Sequence, residues 1–263
     1  MPPVVLTIAG SDNSCGAGAQ ADLKTITALG GYGLTAITCV VAEVPGRVLS
    51  IQPIKPRIVA EQIQLALEAF PVAAIKTGML YDAAIISAVA DALPMGVPLV
   101  IDPVMVASSG DRLVKKSAIA AYEALLFPRA SVITPNLDEL AVLGGRSCEN
   151  VEAMIVLGRE LMERVGVAIL LKGGHFPGRF AEDVLVQPHG TTRFVAPYRR
   201  GLATHGTGCT LSAAIATGLA HGLDLEQAVG QAKFYISQAI ENCYRWPTTM
   251  ALNHSSLFQK NKA

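Results

Sequence analysis

Short runs of hydrophobic residues recur along the chain, and within most of them nearly every position is hydrophobic. A run of this kind is typical of a strand that is covered on both faces, as in a parallel sheet. Six such runs are predicted to be strands: residues 4–9, 34–41, 73–76, 98–101, 131–134 and 167–171.

Between these runs, hydrophobic residues repeat with the spacing of an amphipathic helix. In residues 59–70, for example, the side chains on one face are Val59, Ile63, Leu67 and Phe70. The same reasoning predicts helices at residues 83–93, 117–126, 151–165, 208–221 and 224–243. Because strands and helices alternate almost from end to end, we expect an α/β protein with three α/β/α layers and a mostly parallel central sheet.

A different pattern begins near residue 182. Residues 183–187 and 192–196 have the pattern of two strands, and the Pro-His-Gly between them is typical of a turn. We therefore expect an antiparallel hairpin at one edge of the sheet. No repeat or linker interrupts the chain, so residues 1–263 are interpreted as one domain, with a polar, loosely held tail at about 247–263.

Composition narrows the possible functions. Of 263 residues, 51% are hydrophobic and 16% are charged, which is enough apolar material for a large core. Lys and Arg number 21, as do Asp and Glu, so no global positive field would attract nucleic acid or anionic lipid. No hydrophobic run has membrane-spanning length, and the N-terminus lacks the basic start of a signal peptide. The five cysteines form no CxxC pair, and we expect a cytoplasmic protein that binds neither nucleic acid nor membrane.

Residues 203–210, Ala-Thr-His-Gly-Thr-Gly-Cys-Thr, lead directly into an Ala-rich predicted helix. Gly206 and Gly208 allow a tight turn, and the first N–H groups of any helix lack partners within that helix. Together with the helix dipole, such a start is suited to an anion, including a phosphoryl group during its transfer. An ordinary turn and cap would use the same glycines. Cys209 is either a thiolate favoured by the dipole or a small buried side chain.

The segment after the first strand has a superficial likeness to a dinucleotide-binding loop. Residues 16–21 fit the pattern G-x-G-x-x-A, yet five residues separate Gly10 from Gly16, so the turn is not tight against the strand. Asp22 at the next helix start would also oppose a pyrophosphate. An NAD site is therefore disfavoured. The alternative is a pocket in which Asp22 binds a polar group of a substrate.

Polar side chains follow several of the predicted strands. Asp102 comes directly after one strand, and Asn136 and Glu139 stand three apart after another. At the carboxyl ends of parallel strands, these groups could hold Mg²⁺ through oxygen or water. A helix N-cap at Asn136 with Glu139 as its capping-box partner explains the same spacing. Lys172, at the end of a further strand, is either a contact for nucleotide phosphates or a solvated strand end.

Eight short segments carry a resemblance to a known family, and in chain order they are TIAGSD (7–12), GAG (16–18), QADLKT (20–25), KTGML (76–80), DPVM (102–105), TPNLxE (134–139), KGGH (172–175) and HGTGCT (205–210). They cover about residues 4–240 and are similar to the hydroxymethylpyrimidine/phosphomethylpyrimidine kinases of thiamine biosynthesis, in the ribokinase-like superfamily. Cys209, where sugar kinases typically have aspartate, is the sharpest discriminator. The resemblance implies a ribokinase-like fold, ATP and Mg²⁺ as cofactors, a small pyrimidine substrate and a homodimer.

The resemblance also implies a role for each matching residue. The anion hole would be formed by the glycine loop: Gly206, Thr207 and Gly208. Cys209 would occupy the position of the catalytic base. The nucleotide would contact Lys172, Asn136 and Thr207. Asp102 and Glu139 would organise Mg²⁺, in part through water. The substrate would be bound by five residues: Gly10, Asp22, Glu43, Met79 and Val104.

The sequence departs from the family at two places. Family members typically have glutamine where this chain has Glu43, and an ionised Glu43 offers only acceptors to an aminopyrimidine. We therefore expect phosphomethylpyrimidine to be the main substrate and the free alcohol to react poorly. Residues 248–253 stand where the family has a Gly-rich segment with Gly-Pro followed by His, which affects C-terminal contacts.

Two other functions stay open from the sequence. A pyridoxal or pyridoxine kinase would use the same anion hole, and that activity recurs among close relatives. A pyrimidine sensor without catalysis would bind its ligand tightly and consume no ATP.

Overall fold

The computed structural model describes residues 1–105, 116–174, 176, 178–199, 201–202 and 205–256. Its main strands are β1 (Val4–Asp12), β2 (Tyr32–Val44), β3 (Arg47–Pro53), β4 (Val72–Thr77), β5 (Leu99–Ile101), β6 (Val132–Ile133), β7 (Ala168–Lys172), β8 (Phe180–Gln187) and β9 (Gly190–Pro197). Across the described part of the chain they form one nine-stranded sheet in the order β3-β2-β1-β4-β5-β6-β7-β8-β9. The six strands from β2 to β7 in this order are parallel, and β3, β8 and β9 are antiparallel to their neighbours.

The helices are α1 (Gly18–Ala28), α2 (Pro56–Ala69), α3 (Ala83–Ala92), α4 (Lys116–Ala121), α5 (Leu137–Gly144), α6 (Val151–Val165), α7 (Thr207–Ala220) and α8 (Leu225–Glu241). Alternate residues of a strand face opposite sides of a sheet. Leu6 and Ile8 of β1 accordingly pack in a core with α2, α3, α5 and α6, whereas Val5 packs in a second core with α1, α7 and α8. The predicted three layers are thereby confirmed. Among the described helices, none combines the length and hydropathy needed to cross a bilayer.

The sequence pattern missed one edge strand and overextended one helix. The predicted hairpin is confirmed as β8 and β9, but β3 at the opposite edge was not predicted. Arg47, Ser50 and Gln52, all exposed at this edge of the sheet, interrupt its hydrophobic residues, so the run lacks a continuous hydrophobic signal. The helix predicted at 117–126 is α-helical only in α4, and it continues as a π-helical turn, Tyr122–Leu126, and a 3₁₀ turn that contains Pro128.

The C-terminal segment packs on the domain. Residues Tyr244–Trp246 (β10) and Thr249–Ala251 (β11) form a small antiparallel hairpin. After it, Leu252 and His254 are buried, and the Tyr235 hydroxyl donates a 2.7 Å hydrogen bond to the His254 carbonyl. The prediction of a loose tail is therefore wrong for residues 249–256, because a buried anchor follows the polar hairpin. Residues 257–263 lie outside the described residues.

The parallel strands place their carboxyl ends along one edge of the sheet. Asp12 ends β1 and Lys172 ends β7, while Asp102 directly follows β5. Open α/β sheets bind ligands at this edge because loops and helix N-termini converge there. The fold thus gathers residues that are up to 160 positions apart in sequence, from Asp12 to Lys172.

Candidate active site

A cavity of about 1200 Å³ runs along this edge of the sheet. Its lining includes nearly all of the residues that the sequence predicted for a site: Gly10, Glu43, Met79, Asp102, Val104, Asn136, Glu139, Lys172, Gly206, Thr207, Gly208 and Cys209. Asp22 is not among the described lining residues. The structure therefore brings the predicted nucleotide, metal and catalytic groups into one space.

The start of α7 lines the part of the cavity that the sequence predicts to bind an anion, and this part is called the anion-binding end. Gly206 is the N-cap, with a left-handed φ of 80°, and its carbonyl accepts the N–H of Thr210 at 2.9 Å. A Cβ on Gly206 would lie 1.7 Å from the Gly16 carbonyl oxygen, so only glycine fits between the two loops. A Cβ on Gly208 would lie 3.1 Å from Lys172 Nζ. The positive end of the helix dipole and a lysine ammonium thus meet at one point, which suits a phosphate group.

Lys172 lies between two carboxylates. Its Nζ is 2.8 Å from Asp102 Oδ1 and 4.0 Å from Glu139 Oε2. Burial disfavours the ammonium, but the charges of Asp102 and Glu139 outweigh it and raise the pKa of Lys172. Burial also raises the pKa of Glu139, an effect that the Lys172 charge opposes. Lys172 is therefore a mostly buried side chain, 12% exposed, whose raised pKa favours the charged ammonium in the cavity wall, and this argues against an ordinary solvated strand end.

Asp102 is held in place by neutral donors as well as by Lys172. The hydroxyls of Thr134 and Ser212 donate to it at 3.3 and 3.4 Å. Within the described residues, no group of three or more His, Cys, Asp or Glu side chains is arranged to hold a metal ion. A metal at Asp102 and Glu139 would consequently need water or phosphate oxygens to complete its coordination.

Asn136 and Glu139 form the capping box that was the alternative interpretation of their spacing. The Asn136 side chain accepts the Glu139 N–H at 2.9 Å, and Glu139 Oε2 accepts the Asn136 N–H at 2.8 Å. Glu139 Oε1 accepts a third bond, from the N–H of Met105 at 3.2 Å. The capping box fixes both side chains at the start of α5 while both still line the cavity.

The surroundings of Cys209 favour a thiol over a thiolate. Burial raises its pKa to about 11, which the nearby Lys76 ammonium only partly opposes. The backbone N–H of Gly18, at the start of α1, donates a hydrogen bond to its sulfur. The sequence left a thiolate and a buried thiol open, and near neutral pH the structure favours the thiol.

Asp22 lies beneath the cavity. It is fully buried, with Oδ2 2.8 Å from Lys76 Nζ and 2.5 Å from the Thr7 hydroxyl that donates to it. Burial raises the pKa of Asp22, while Lys76 acts in the opposite direction. Asp22 Oδ2 is thus paired with a buried lysine, because Thr7 and Lys76 are neighbours in the β1–β4 register, and the predicted substrate contact of Asp22 stays a prediction.

Glu43, Met79 and Val104 line the other end of the cavity. The Glu43 N–H donates to Asn13 Oδ1 at 2.7 Å, which ties β2 to the loop after β1. Burial and the nearby Asp12 carboxylate raise the pKa of Glu43, and His205 acts against them. Val104 has a φ of 30°, a conformation that a β-branched residue adopts only at an energetic cost. The strain lies at the site itself.

Sequence reasoning missed Asp12 and His205 as site residues. Both line the cavity, and His205 Nε2 lies 3.0 Å from Asp12 Oδ2. Two signals were present in the sequence: Asp12 ends the first strand, and His205 directly precedes Gly206. Neither signal indicates that the two residues meet across 193 positions of chain.

The chain is similar to known kinases along most of its length. A family model for phosphomethylpyrimidine kinase matches residues 12–253. The hydroxymethylpyrimidine/phosphomethylpyrimidine kinase of Rhizobium meliloti (strain 1021) is 43% identical over 242 residues, which span 91% of this chain and 91% of that protein. These matches extend over both ends of the cavity.

Two solved structures share the fold closely. A pyridoxal kinase of Bacillus subtilis in complex with ADP is 33% identical, with a TM-score of 0.90 over 98% of this chain and 99% of that one. A phosphomethylpyrimidine kinase of Clostridium difficile 630 is 37% identical, with a TM-score of 0.78 over 90% of this chain and 99% of that one.

Proposed function

This chain belongs to the phosphomethylpyrimidine kinase family, and on that basis we propose that it transfers the γ-phosphoryl group of ATP to 4-amino-5-hydroxymethyl-2-methylpyrimidine phosphate. The product would be the pyrimidine diphosphate of thiamine biosynthesis. The observation that carries the proposal is the convergence of Lys172 and the first turn of α7 at one point of the cavity. A phosphoryl group in transfer would meet a fixed ammonium and a helix start there, and both stabilise its charge without reorganising.

The nucleotide base is proposed to lie between β9 and α8. Val195 and Phe234 line the cavity there and are 54% and 57% exposed, which offers an apolar surface to a planar base. Asn136, Thr207 and Lys172 would then face the phosphates. Apolar walls with a few convergent polar groups are the usual form of a nucleotide or small-molecule site.

Mg²⁺ fits beside Asp102 and Glu139. Mg²⁺ prefers oxygen ligands, retains several waters, and is usually bound by one or two carboxylates together with substrate phosphates. Asp102 and Glu139 provide such a pair within 4.0 Å of the same lysine nitrogen, next to the anion-binding end. When bound, Mg²⁺ would neutralise charge on the phosphate oxygens.

Cys209 is proposed to lie beside the acceptor oxygen, which is a phosphate oxygen in the monophosphate and the hydroxyl in the free alcohol. Since its thiol has a pKa raised to about 11, proton removal by a pre-existing thiolate contributes little near neutral pH. Holding the attacking oxygen, a phosphate oxygen of the monophosphate, in line with the γ-phosphate and the departing ADP supplies the larger part of the rate enhancement, because phosphoryl transfer depends mainly on positioning and charge stabilisation.

The pyrimidine is proposed to contact Glu43, Met79, Val104 and Gly10. With its raised pKa, Glu43 retains a proton more readily than an exposed glutamate and can then donate as well as accept. The phosphate of the monophosphate would add charge-assisted contacts with Lys172 and the start of α7, so this substrate depends less on Glu43 than the free alcohol does. We therefore propose the monophosphate as the main substrate.

A pyridoxal kinase is the second candidate, favoured by the close structural likeness to such an enzyme. It would use the same anion-binding end and differ only in the ring that Glu43 and Met79 face. A homodimer and a cytoplasmic location remain predictions from the family resemblance.

The substrate assignment is tested by comparing kcat/KM for three acceptors with ATP and Mg²⁺: the monophosphate, the free alcohol and pyridoxal. Wild type is compared with Glu43→Gln, which restores the residue typical of the family. We expect the monophosphate to be the best acceptor for wild type, and Glu43→Gln to improve mainly the free alcohol. Comparable turnover of alcohol and monophosphate by wild type would refute the preference. Turnover of pyridoxal alone would assign the second candidate, and pyrimidine binding without ATP consumption would indicate a sensor.

A further inference from the structure

Asp12 organises the loop that follows β1. Its carboxylate is 1% exposed and accepts hydrogen bonds from the Ser14 N–H at 2.7 Å, the Ser14 hydroxyl at 2.9 Å, the Gly16 N–H at 3.2 Å and the Ala17 N–H at 2.8 Å. Burial acts to raise the pKa of Asp12, but the hydrogen bonds from His205, Ser14 and Ala17 outweigh it and lower the pKa to about 2. Asp12 is thus a buried anion whose partners are all donors.

The fifth donor to Asp12 is His205, in the loop of residues 205–208 at the start of α7, here called the anion-binding loop. His205 Nε2 lies 3.0 Å from Asp12 Oδ2. An ionised carboxylate only accepts hydrogen bonds, so Nε2 carries the proton of this bond. The two loops are therefore joined by a part-buried polar contact.

The backbones of the two loops also interlock. A Cβ on Gly16 would lie 2.6 Å from His205 Cδ2, and a Cβ on Gly206 would lie 1.7 Å from the Gly16 carbonyl oxygen. The His205 ring packs on Gly16, and the Gly206 backbone packs on the Gly16 carbonyl, but van der Waals contacts of this kind have no preferred direction. The Asp12–His205 hydrogen bond is directional, so it can fix the relative orientation of the two loops, which the glycine contacts cannot do.

The connection extends to both ends of the cavity. The Gly18 N–H at the start of α1 donates to the sulfur of Cys209, the third residue of α7. On the other side, Asn13 accepts the Glu43 N–H at 2.7 Å. The segment of residues 12–18 thus contacts β2 through Asn13 and the start of α7 through Asp12 and Gly18.

We propose that Asp12 and His205 are a pair of positioning residues, which dock the loop after β1 onto the anion-binding loop so that the starts of α1 and α7 face the same point. This inference rests on the proposed phosphoryl transfer for its kinetic consequence. The docking itself does not, since it concerns only residues of this chain.

The test compares His205→Leu, which keeps side-chain volume without a donor, with His205→Gln, whose amide can donate to Asp12. Hydrogen exchange of the amides in residues 205–210 and steady-state kinetics are measured for both. We expect His205→Leu to speed this exchange at least about 10-fold and to lower kcat about 10²-fold, as a small misplacement of reacting groups does. KM for ATP should change less than kcat. His205→Gln should restore most of the slow amide exchange at residues 205–210 and most of the wild-type kcat.

His221→Leu is the matched control, because His221 lies at the opposite end of α7 and contacts the Leu29 carbonyl at 3.0 Å. It should leave amide exchange at residues 205–210 unchanged.

If His205→Leu does not fold, Asp12→Asn serves instead, with the same expected effects on exchange and kcat. Equal losses in His205→Gln and His205→Leu, or unchanged exchange in both, would overturn the proposal. A wild type that does not phosphorylate the pyrimidine would contradict the proposed function and leave the exchange test intact.

Discussion

Lys172 Nζ lies 2.8 Å from Asp102 Oδ1 although the two residues end strands that are not neighbours. Asp102 follows β5, Lys172 ends β7, and β6 runs between them. Thr134, at the end of β6, donates its hydroxyl to the same Asp102 oxygen at 3.3 Å. Three adjacent strand ends therefore hold one ion pair beside the start of α7, and the charge balance of the site depends on this pair.

Replacing Lys172 by Met should separate stability from activity. Without the ammonium, Asp102 and Glu139 are two buried carboxylates with no compensating charge between them, and we expect unfolding free energy to fall by about 3 kcal/mol. Turnover should fall about 10²-fold or more, because a donor to the phosphoryl group is lost. The double variant Lys172→Met/Asp102→Asn should regain much of the stability and none of the turnover, measured by urea denaturation and initial rates. Turnover within about threefold of wild type would contradict a phosphate role for Lys172.

The contact between Gly206 and Gly16 predicts a position-specific effect of alanine. Gly206 and Gly222 have φ values of 80° and 84°, so alanine at either costs about 1–2 kcal/mol in backbone strain. A Cβ on Gly222 would meet no described atom within 4 Å, whereas one on Gly206 would displace the Gly16 carbonyl. Gly206→Ala should therefore lose about 10²-fold in kcat and Gly222→Ala should keep wild-type kcat. Equal kcat for the two variants would show that the loop contact is unimportant.

The raised pKa of Cys209 predicts slow alkylation near neutral pH. With a pKa of about 11, roughly one thiol in 10⁴ is ionised at pH 7, and the rate should rise about tenfold per pH unit up to pH 10. Cys39 is the internal comparison, since its pKa is also raised to about 11 but its side chain is fully buried and should stay unmodified. Peptide-resolved mass spectrometry after iodoacetamide treatment measures both. A rate for Cys209 that levels off below pH 8 would indicate a thiolate.

His254 predicts a loss of stability in mild acid. Burial, together with the Lys24 charge, lowers the pKa of His254 from 6.5 to about 4, so the folded state resists a proton that the unfolded state accepts. Its contribution is therefore complete above pH 6.5 and is lost as the pH falls towards 4. At pH 5 the loss is about 2 kcal/mol. His254→Gln should be less stable at pH 7.5 but less sensitive to acid between pH 7 and 5. An unchanged pH slope in this variant would contradict the assignment.

Much of the fold could be predicted from the sequence because its strands are continuously hydrophobic. The parallel core strands and the amphipathic helices follow from local patterns alone. Strand β3 did not, since Arg47, Ser50 and Gln52 interrupt its hydrophobic pattern at a sheet edge. The buried C-terminal anchor at His254 also has no local signal, because its partners Tyr235 and Thr210 lie on two helices far earlier in the chain.

Most candidate site residues could be predicted, but their partners could not. Glycines, lysines and carboxylates at strand ends mark a site by type and position. Which of them touch depends on strand order and register, which no short segment contains. For this reason Asp22 was expected in the cavity, whereas the β1–β4 register buries it against Lys76. The Asp12–His205 contact depends in the same way on the packing of two loops.

The most informative single measurement is ³¹P NMR of wild-type enzyme incubated with ATP, Mg²⁺ and hydroxymethylpyrimidine monophosphate. If the start of α7 and Lys172 stabilise a phosphoryl group in transfer to this acceptor, ADP and the pyrimidine diphosphate should appear in equal amounts. ADP without the diphosphate, or no reaction while pyridoxal is phosphorylated under the same conditions, would contradict the proposed function.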